Sequence, residues 1–183
     1  FSVSAWINGN PSGNEVVGVV AQSNISNQRG FLFGSYQNAG QGGNGSKLHA
    51  FYQSNPTTYN ANERLQSNAT VFDNTWHHVV FTFDGSRVNI YVDGVLDATK
   101  TANVPSQINA SNAFELGRYA GSNAYNGGLD DVRVYNRIIT VDEVDHLSSA
   151  RGVLGPPPVP PVGLGGEQLW LCPSIDDSPD DLS

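Results

Sequence analysis

The chain has 183 residues, and because a single domain commonly holds about 100 to 200 residues, the sequence predicts one main domain with a tail. Hydrophobic residues make up 38% of it, which excludes disorder throughout, while charged residues make up only 14%, below the usual ~25%. Seventeen acidic against nine basic residues give a net charge of −8, which disfavours nucleic acid as a partner. No run of 18 apolar residues occurs, so no membrane-spanning helix is predicted.

Short runs of alternating apolar and polar residues dominate the first 135 positions, and this period of two is typical of half-buried strands. Tight turns at Asp84-Gly85-Ser86 and Asp93-Gly94 predict antiparallel neighbours. The run at 76 to 83 is apolar at both sets of alternate positions, so we expect a central strand covered on both faces. We predict at least nine strands, at residues 1 to 8, 15 to 22, 30 to 36, 47 to 53, 69 to 73, 76 to 83, 87 to 93, 113 to 118 and 128 to 135.

One short helix is expected after these strands. Thr140 followed by Glu143 fits a capping box, in which each side chain bonds the backbone N–H of the other residue. Val141, Val144 and Leu147 then recur at a spacing of three on one face. The helix is predicted to end near residue 152.

The composition changes after the helix. Residues 152 to 166 are rich in proline and glycine, which predicts a semi-rigid linker of the polyproline type and ends the main domain at residue 151. Residues 167 to 183 hold one short apolar run and an acidic turn region, so we predict a single strand there that cannot fold alone. The apolar alternation is already under way at Phe1, which predicts a piece of a longer protein.

Four segments in order carry a family resemblance: FSVSAWI (1 to 7), TWHHVVFTFDGSRVNIYVDGVL (75 to 96), FELG (114 to 117) and GGLDDVRVYNRIITVDEV (127 to 144). Together they resemble the laminin-G-like jelly-roll family of the concanavalin A-like superfamily. The resemblance implies an all-β fold, a jelly-roll sandwich of two antiparallel sheets with one short C-terminal helix. It also implies a non-catalytic module of secreted or surface proteins, so we expect an extracellular or cell-surface location.

Family members usually begin with a further strand and an acidic turn before the segment that matches residues 1 to 7. Residues 167 to 183 resemble that opening, which implies tandem copies. We also hypothesise that the strand at 167 to 172, from the same molecule or from a neighbouring copy, fills an otherwise open sheet edge.

Catalysis is not favoured by the sequence. A retaining glycosidase needs two carboxylates about 5 to 5.5 Å apart, hence acids at alternate strand positions, and the E-x-D-x-(x)-E pattern is absent. Asp142, Glu143 and Asp145 fall at the predicted helix start, where acids stabilise the helix dipole. His77 and His78 point to opposite faces of a regular strand, so they cannot bind one metal ion together. No catalytic residue is predicted.

Calcium is the expected cofactor, as a structural ion, because hard cations take oxygen ligands and the loops are rich in Asp, Asn and Gly. In a regular strand Asp130 shares a face with Val132 and Val134, so it is expected to point inward, where a carboxylate needs a cation, an arginine or several amide donors. The resemblance implies a site built from Asp130 and an acidic turn like that at Asp176 and Asp177. Backbone amides alone around Asp130 are the alternative.

Sugar sites typically combine an aromatic ring with planar hydrogen-bonding side chains. Several tyrosines lie in loop-like segments beside amides or arginines, although half-exposed tyrosines without a ligand are the alternative explanation. The candidate ligand-binding residues are Tyr59, Tyr119, Tyr125, Arg118, Asn62 and Asn126, with Tyr36, Tyr52, His49 and Arg64 as an extension along a sheet face.

Three other features have ordinary explanations. Asp131 and Arg133 are two residues apart on one strand and predict a surface ion pair. Cys172 is expected to be a small buried hydrophobe, with intermolecular pairing as the alternative. Four Asn-x-Ser/Thr sites occur, close to the number expected by chance, so they leave glycosylation open.

These features favour a non-catalytic extracellular module for binding or adhesion, with a glycan or an extracellular protein as partner. The alternative is a structural repeat in which the strand at 167 to 172 completes a neighbouring copy, so that copies of the chain are themselves partners. A fragment of a glycosidase or lyase is a third hypothesis, which requires convergent acids that the sequence does not show.

Overall fold

A computed structural model describes residues 1–10, 16–22, 30–37, 43–53, 64–101, 113–119, 123–149 and 168–170. Most of these residues are in strands. In the described part of the chain no helix is long and apolar enough to span a membrane. In chain order the elements are β1 (Ser2–Gly9), β2 (Val16–Gln22), β3 (Gly30–Tyr36), β4 (Lys47–Gln53), β5 (Arg64–Thr70), β6 (His77–Phe83), β7 (Arg87–Val92), β8 (Val95–Thr101), β9 (Glu115–Leu116), β10 (Arg118–Tyr119), β11 (Asn123–Ala124), β12 (Gly127–Tyr135), α1 (Val141–Ser149) and β13 (Gln168–Trp170).

Two antiparallel sheets form the fold. The first has six strands in the order β13-β12-β1-β6-β7-β8, and the second has five in the order β5-β4-β3-β2-β9, while β10 and β11 form a separate ribbon. The main core contains side chains from both sheets, with rings such as Phe33 and Phe81 stacked 5.8 Å apart between centroids. This two-sheet sandwich with one short helix confirms the predicted fold class.

The central position predicted for residues 76 to 83 is confirmed, since β6 pairs with β1 on one side and with β7 on the other. Val79 and Phe81 enter the main core. Val80 points the other way, into a second apolar cluster that includes Val144 and Leu147 of α1. Strand β6 is therefore covered on both faces, by the second sheet and by the helix.

The capping box of α1 is present as predicted. The Thr140 backbone N–H donates to Oε2 of Glu143 over 2.7 Å, and the Glu143 N–H donates to Oγ1 of Thr140 over 3.2 Å. Arg137 also binds the Glu143 carboxylate through two nitrogens, at 2.6 and 2.8 Å. These bonds lower the pKa of Glu143, the Arg137 contact being the largest cause.

Two strand predictions differ from the structure, and the strands β8 and β11 were not predicted. The strand predicted at 69 to 73 is β5, which lies earlier, at Arg64–Thr70. The segment 113 to 118 divides at Gly117, whose φ of 65° interrupts the strand between β9 and β10. Strand β8 was not predicted, because it is an edge strand exposed along most of its length and lacks a buried apolar face.

The tail contributes one strand to the first sheet. Residues 168–170, part of the strand predicted at 167 to 172, form β13 beside β12. The predicted linker at 152 to 166 and the rest of the tail, with Cys172, lie outside the described residues.

Candidate functional site

The outer face of the five-stranded sheet carries a second set of aromatic side chains. Residues directly opposite each other in an antiparallel pair share a face. Leu32 of β3 lies opposite Phe51 of β4, and Phe51 lies opposite Arg64 of β5. Tyr36 and Phe51 belong to an apolar cluster distinct from the main core. The sheet therefore presents aromatic groups on both of its faces.

The arginine on this face stacks on the rings beside it. The guanidinium carbon of Arg64 lies 5.0 Å from the ring centroid of Tyr36 and 5.8 Å from that of Phe51, within the range of a cation–π interaction. The Tyr36 and Phe51 rings meet edge to face at 5.2 Å. The result is a planar cation held against two aromatic rings.

His49 completes this cluster without adding charge. Its ring lies 5.8 Å from that of Tyr36, and its Nε2 lies 3.1 Å from the backbone carbonyl oxygen of Asn44, to which it can donate. Burial lowers the pKa of His49 to about 4, and the charge of Arg64 adds to this effect against the opposing bond to Asn44. His49 is therefore neutral near pH 7.

A two-stranded ribbon crosses the same face. A Cβ atom at Gly18 of β2 would clash with the backbone carbonyl oxygen of Arg118. The close approach of β10 to the sheet therefore requires glycine at position 18. Tyr119 of β10 packs against the Tyr36 and Phe51 cluster. We call the residues Tyr36, His49, Phe51, Arg64 and Tyr119 the aromatic–arginine face.

Arg118 lies at the rim of this face. Its side chain is 57% exposed, and its Nε is 3.1 Å from Oε1 of Glu115, which is almost fully buried. Glu115 lies opposite Ala21 of β2, on the same side of the sheet as the cluster. The buried carboxylate thus holds an exposed guanidinium beside the rings.

The structure divides the predicted ligand-binding residues. Arg118 and Tyr119 lie with the predicted extension residues Tyr36, His49 and Arg64. Tyr59 and Asn62 lie outside the described residues.

The other predicted tyrosines lie elsewhere. Tyr125 packs against the main core, with its ring 6.1 Å from that of Phe72, and burial raises its pKa to about 12. The neighbouring Asn126 is exposed, and its backbone carbonyl lies beside Gly9 of β1, which belongs to the other sheet. Tyr52 stacks on Phe83 inside the sandwich, so it does not extend the face.

Phe51 belongs to the aromatic–arginine face but was not among the residues predicted from the sequence. It stands two residues after His49 in one strand, so the two share a face, and this spacing could have predicted it. The signal is weak because Leu48, Ala50 and Tyr52, at the alternate positions, are also apolar.

The inward orientation predicted for Asp130 is wrong. The register between β1 and β12 shifts between Ser4↔Arg133 and Trp6↔Asp130, which leaves one extra residue in β12, and Asp131 there has φ of 46°. Such a bulge breaks the alternation of faces. Asp130 therefore shares a face with Trp6 and Arg133, on the outside of the six-stranded sheet.

The ion pair predicted beside it forms, but it is not a surface pair. Nε of Arg133 lies 2.7 Å from Oδ1 of Asp131, and the two side chains are only 9% and 25% exposed. The bulge at Asp131 brings the carboxylate and the guanidinium together in this largely buried position.

Only one of the three predicted calcium ligands, Asp130, lies within the described residues. Asp130 accepts a 2.8 Å hydrogen bond from the backbone N–H of Asp131, whose own carboxylate binds Arg133. Within the described ranges, no three His, Cys, Asp or Glu residues are grouped as metal ligands. Asp176 and Asp177 lie outside those ranges. Calcium therefore stays a prediction.

The two adjacent histidines have separate surroundings. His78 is buried, with Nε2 2.9 Å from Oγ of Ser4 and its ring 5.4 Å from that of Trp6, and burial lowers its pKa to about 4. His77 has Nδ1 2.8 Å from Asp93 and Nε2 3.4 Å from Asp73. Burial opposes its charged form, but the bonds and charges of these two aspartates outweigh it and raise the pKa of His77.

The fold is shared with solved carbohydrate-binding structures. One is a protein from Bacteroides ovatus ATCC 8483 described as carbohydrate-binding, with a TM-score of 0.62 and 17% identity. The alignment covers 79% of this chain but only 39% of that protein. Domain 4 of AbnA, an extracellular arabinanase from Geobacillus stearothermophilus in complex with arabinotriose, gives a TM-score of 0.56 at 19% identity, over 80% of this chain and 65% of that one. The CBM40 of Ruminococcus gnavus IT-sialidase gives 0.57 at 17% identity, over 80% and 81%, and has also been solved with α2,3 sialyllactose bound.

The architecture defines a two-sheet jelly-roll domain, and the sequence assigns its family. A family model described as the concanavalin A-like lectin/glucanases superfamily, Laminin_G_3, matches residues 1–145. The chain belongs to this laminin-G-like family, as its motifs predicted. No curated protein matches it.

Proposed function

We propose that this chain is a non-catalytic glycan-binding module that acts outside the cell, and that Tyr119 and Arg118, at the surface of the aromatic–arginine face, bind the sugar. The observation that carries the proposal is the stacking of Arg64 on Tyr36 and Phe51, on a sheet face that Tyr119 also joins.

The chemistry of this face suits a sugar. The C–H faces of a pyranose pack on aromatic rings, and its hydroxyls need planar donors and acceptors. Tyr119 is half-buried in the ribbon and Arg118 is exposed at the rim, so ring and guanidinium are available at the outer surface of the cluster. The rings of Tyr36 and Phe51 are themselves buried, and the stacked Arg64 fixes them in place.

The described carboxylates of the five-stranded sheet support a role without catalysis. Within strands β2 to β5 and β9 the acidic residue is Glu115, and it is bound to Arg118. A glycosidase of either type needs a pair of carboxylates about 5 to 10 Å apart. Binding, rather than hydrolysis, is the chemistry that these residues can supply.

Similar structures support the same class of ligand. The arabinanase domain was solved with arabinotriose and the sialidase CBM40 with α2,3 sialyllactose. Both share the fold of this chain at low sequence identity. They supply the first two probes for the face, alongside a glycan microarray.

Binding by variants of the full chain tests the proposal. Tyr119→Ala removes the ring of the ribbon and Arg118→Ala the rim guanidinium. Each is expected to weaken binding by about 5- to 30-fold, as aromatic and charged contacts of roughly 1 to 2 kcal/mol predict. Tyr119→Phe keeps the ring and should bind within about 3-fold of the wild type if stacking dominates. Titration calorimetry with each glycan that binds on the array measures these changes.

Arg87→Ala is the matched control for Arg118→Ala. Arg87 is also an exposed arginine, but it lies on β7 of the other sheet, so its removal should leave binding unchanged. Equal binding by wild type and Tyr119→Ala, or equal loss with Arg87→Ala, would contradict the proposed face.

Calcium is tested separately by a thermal melt of the full chain with excess calcium and with chelator. A ligand that binds only the folded state raises stability by RT ln(1 + [L]/Kd). A calcium-dependent rise in Tm that Asp130→Asn removes would support the predicted ion. The same Tm in both conditions would contradict it.

A further inference from the structure

Strand β12 has one fully paired side and one sparsely paired side. Strand β1 pairs with it from Ser2↔Tyr135 to Gly9↔Gly127. On its other side β13 pairs at only three positions, Arg133↔Trp170, Val134↔Leu169 and Tyr135↔Gln168. Without β13, β12 would be the edge strand of the six-stranded sheet.

An edge strand is a template for another chain. It presents a row of backbone N–H and C=O groups, and an extended segment that adds beside it gains main-chain hydrogen bonds. Three paired residues are few beside the five or six of an average strand. The docked and released states of β13 should therefore lie close in free energy.

The sequence between α1 and β13 can carry the strand away from its own domain. Ten of the eighteen residues from 150 to 167 are proline or glycine, and all five of these prolines fall within 156 to 161. Fully extended, eighteen residues span roughly 60 Å. Proline-rich sequences in general favour extended conformations, so a sequence of this length and composition is sufficient to reach a second copy.

We propose that the β12 edge accepts the strand 168–170 of a second copy of this chain, so that copies join head to tail by exchanging tail strands. The segment that fills the edge within one molecule is identical in every copy, which is the condition for domain swapping. The acceptor is a backbone edge of the six-stranded sheet, so the proposal is independent of the aromatic–arginine face.

Sedimentation of the full chain under reducing conditions tests this, since reduced Cys172 cannot crosslink copies. Leu169→Pro removes a backbone donor and is disfavoured in a paired strand, whereas Leu169→Ala keeps the backbone. A short flexible linker gives an effective concentration near millimolar, so exchange between copies should become visible as the protein approaches about 1 mM. From about 10 µM to 1 mM, the average mass of the wild type and of Leu169→Ala should at least double. Leu169→Pro alone should stay at monomer mass.

A mixing experiment separates donor from acceptor. A trace of labelled Leu169→Pro chain still has its β12 edge, so it should join wild-type assemblies at high concentration. The proposal is overturned by a wild type that stays monomeric to 1 mM, by Leu169→Pro chains that associate as the wild type does, or by labelled Leu169→Pro that stays apart from the wild type.

A peptide keeps the test decisive if Leu169→Pro destabilises the chain. A synthetic peptide of residues 166 to 173, added in excess to wild-type assemblies, should occupy the β12 edges and return the average mass to that of the monomer. The same peptide with proline at 169 should have no effect. Assemblies that resist the first peptide, or that both peptides disrupt alike, would contradict strand exchange.

Discussion

The two sheets have outer faces that are covered in different ways. On the six-stranded sheet, helix α1 packs Val144 and Leu147 against Val80, Tyr91 and Tyr135 in a closed apolar cluster. On the five-stranded sheet, a four-residue ribbon crosses aromatic rings that hold a guanidinium, with Arg118 exposed at its rim. A helix with an apolar stripe closes one face as core. On the other face the rings of Tyr36 and Phe51 are also buried, but the short ribbon over them leaves Tyr119 half-buried and Arg118 exposed.

The largest expected effect is a loss of folding stability in acid, because each outer face buries one neutral histidine. In the folded state burial lowers the pKa of His49 and of His78 from 6.5 to about 4. The unfolded chain therefore binds more protons between these values, so the stabilising effect is complete above pH 6.5 and is lost as the pH falls towards 4. Each histidine should contribute about 3 kcal/mol to this loss, at 1.36 kcal/mol per pKa unit.

Urea unfolding at pH 7, 6, 5 and 4 measures that loss. His49→Gln and His78→Gln should each flatten the pH dependence by up to about 1.4 kcal/mol per pH unit, the value for one proton. His77→Gln is the neighbouring control, and it has the opposite sign. The raised pKa of His77 gives stability that is present below pH 6.5 and lost as the pH rises through its folded value. Parallel pH curves for all four proteins would show that the histidines do not set the acid response.

The next effect tests the closed face. Leu147→Ala removes a side chain that is 1% exposed in the helix cluster, and such truncations cost about 2 to 5 kcal/mol. Val141→Ala changes an exposed residue on the same helix and should cost less than about 0.5 kcal/mol. Both variants should bind a glycan as the wild type does. If the Leu147→Ala protein is fully folded and still binds the glycan more weakly, the two faces are coupled.

The face under the ribbon is tested at the close backbone contact between β2 and β10. Gly18→Ala places a Cβ against the Arg118 carbonyl oxygen, so the ribbon must move, at a cost of about 1 to 3 kcal/mol. Hydrogen exchange should show faster exchange at residues 118, 119, 123 and 124, and glycan binding should weaken. If the hydrogen-exchange protection of the ribbon is unchanged, the close contact at Gly18 does not hold the ribbon in place.

The smallest effect concerns the start of the covering helix. Thr140→Ala removes the Oγ1 acceptor for the Glu143 N–H and should lower stability by about 1 kcal/mol. Thr140→Ser keeps an acceptor and should retain most of it. If the two variants unfold alike, the Arg137 and Glu143 ion pair is the contact that fixes the helix start.

The candidate site was only partly accessible from the sequence. Tyr119 and Arg118 were predicted because an aromatic next to a planar cation suits a sugar, and Tyr36, His49 and Arg64 followed as residues of a sheet face. Their assembly with Phe51 depends on which strands are neighbours in the second sheet. Residues 36, 51 and 64 come together through the register of three strands, which no local pattern encodes.

The sequence by itself determined the elements with strong local signals. The alternation in β6, the Asp-Gly turns and the Thr140 capping box each depend on neighbouring residues, so the strands, hairpins and helix start could be predicted. The tertiary structure alone decided the orientation of Asp130, because one bulged residue in β12 reverses the face that a regular strand predicts. It also decided the edge strand β8 and the burial of Tyr125, since pairing and packing partners distant in the chain fix which side of a strand or loop meets the core.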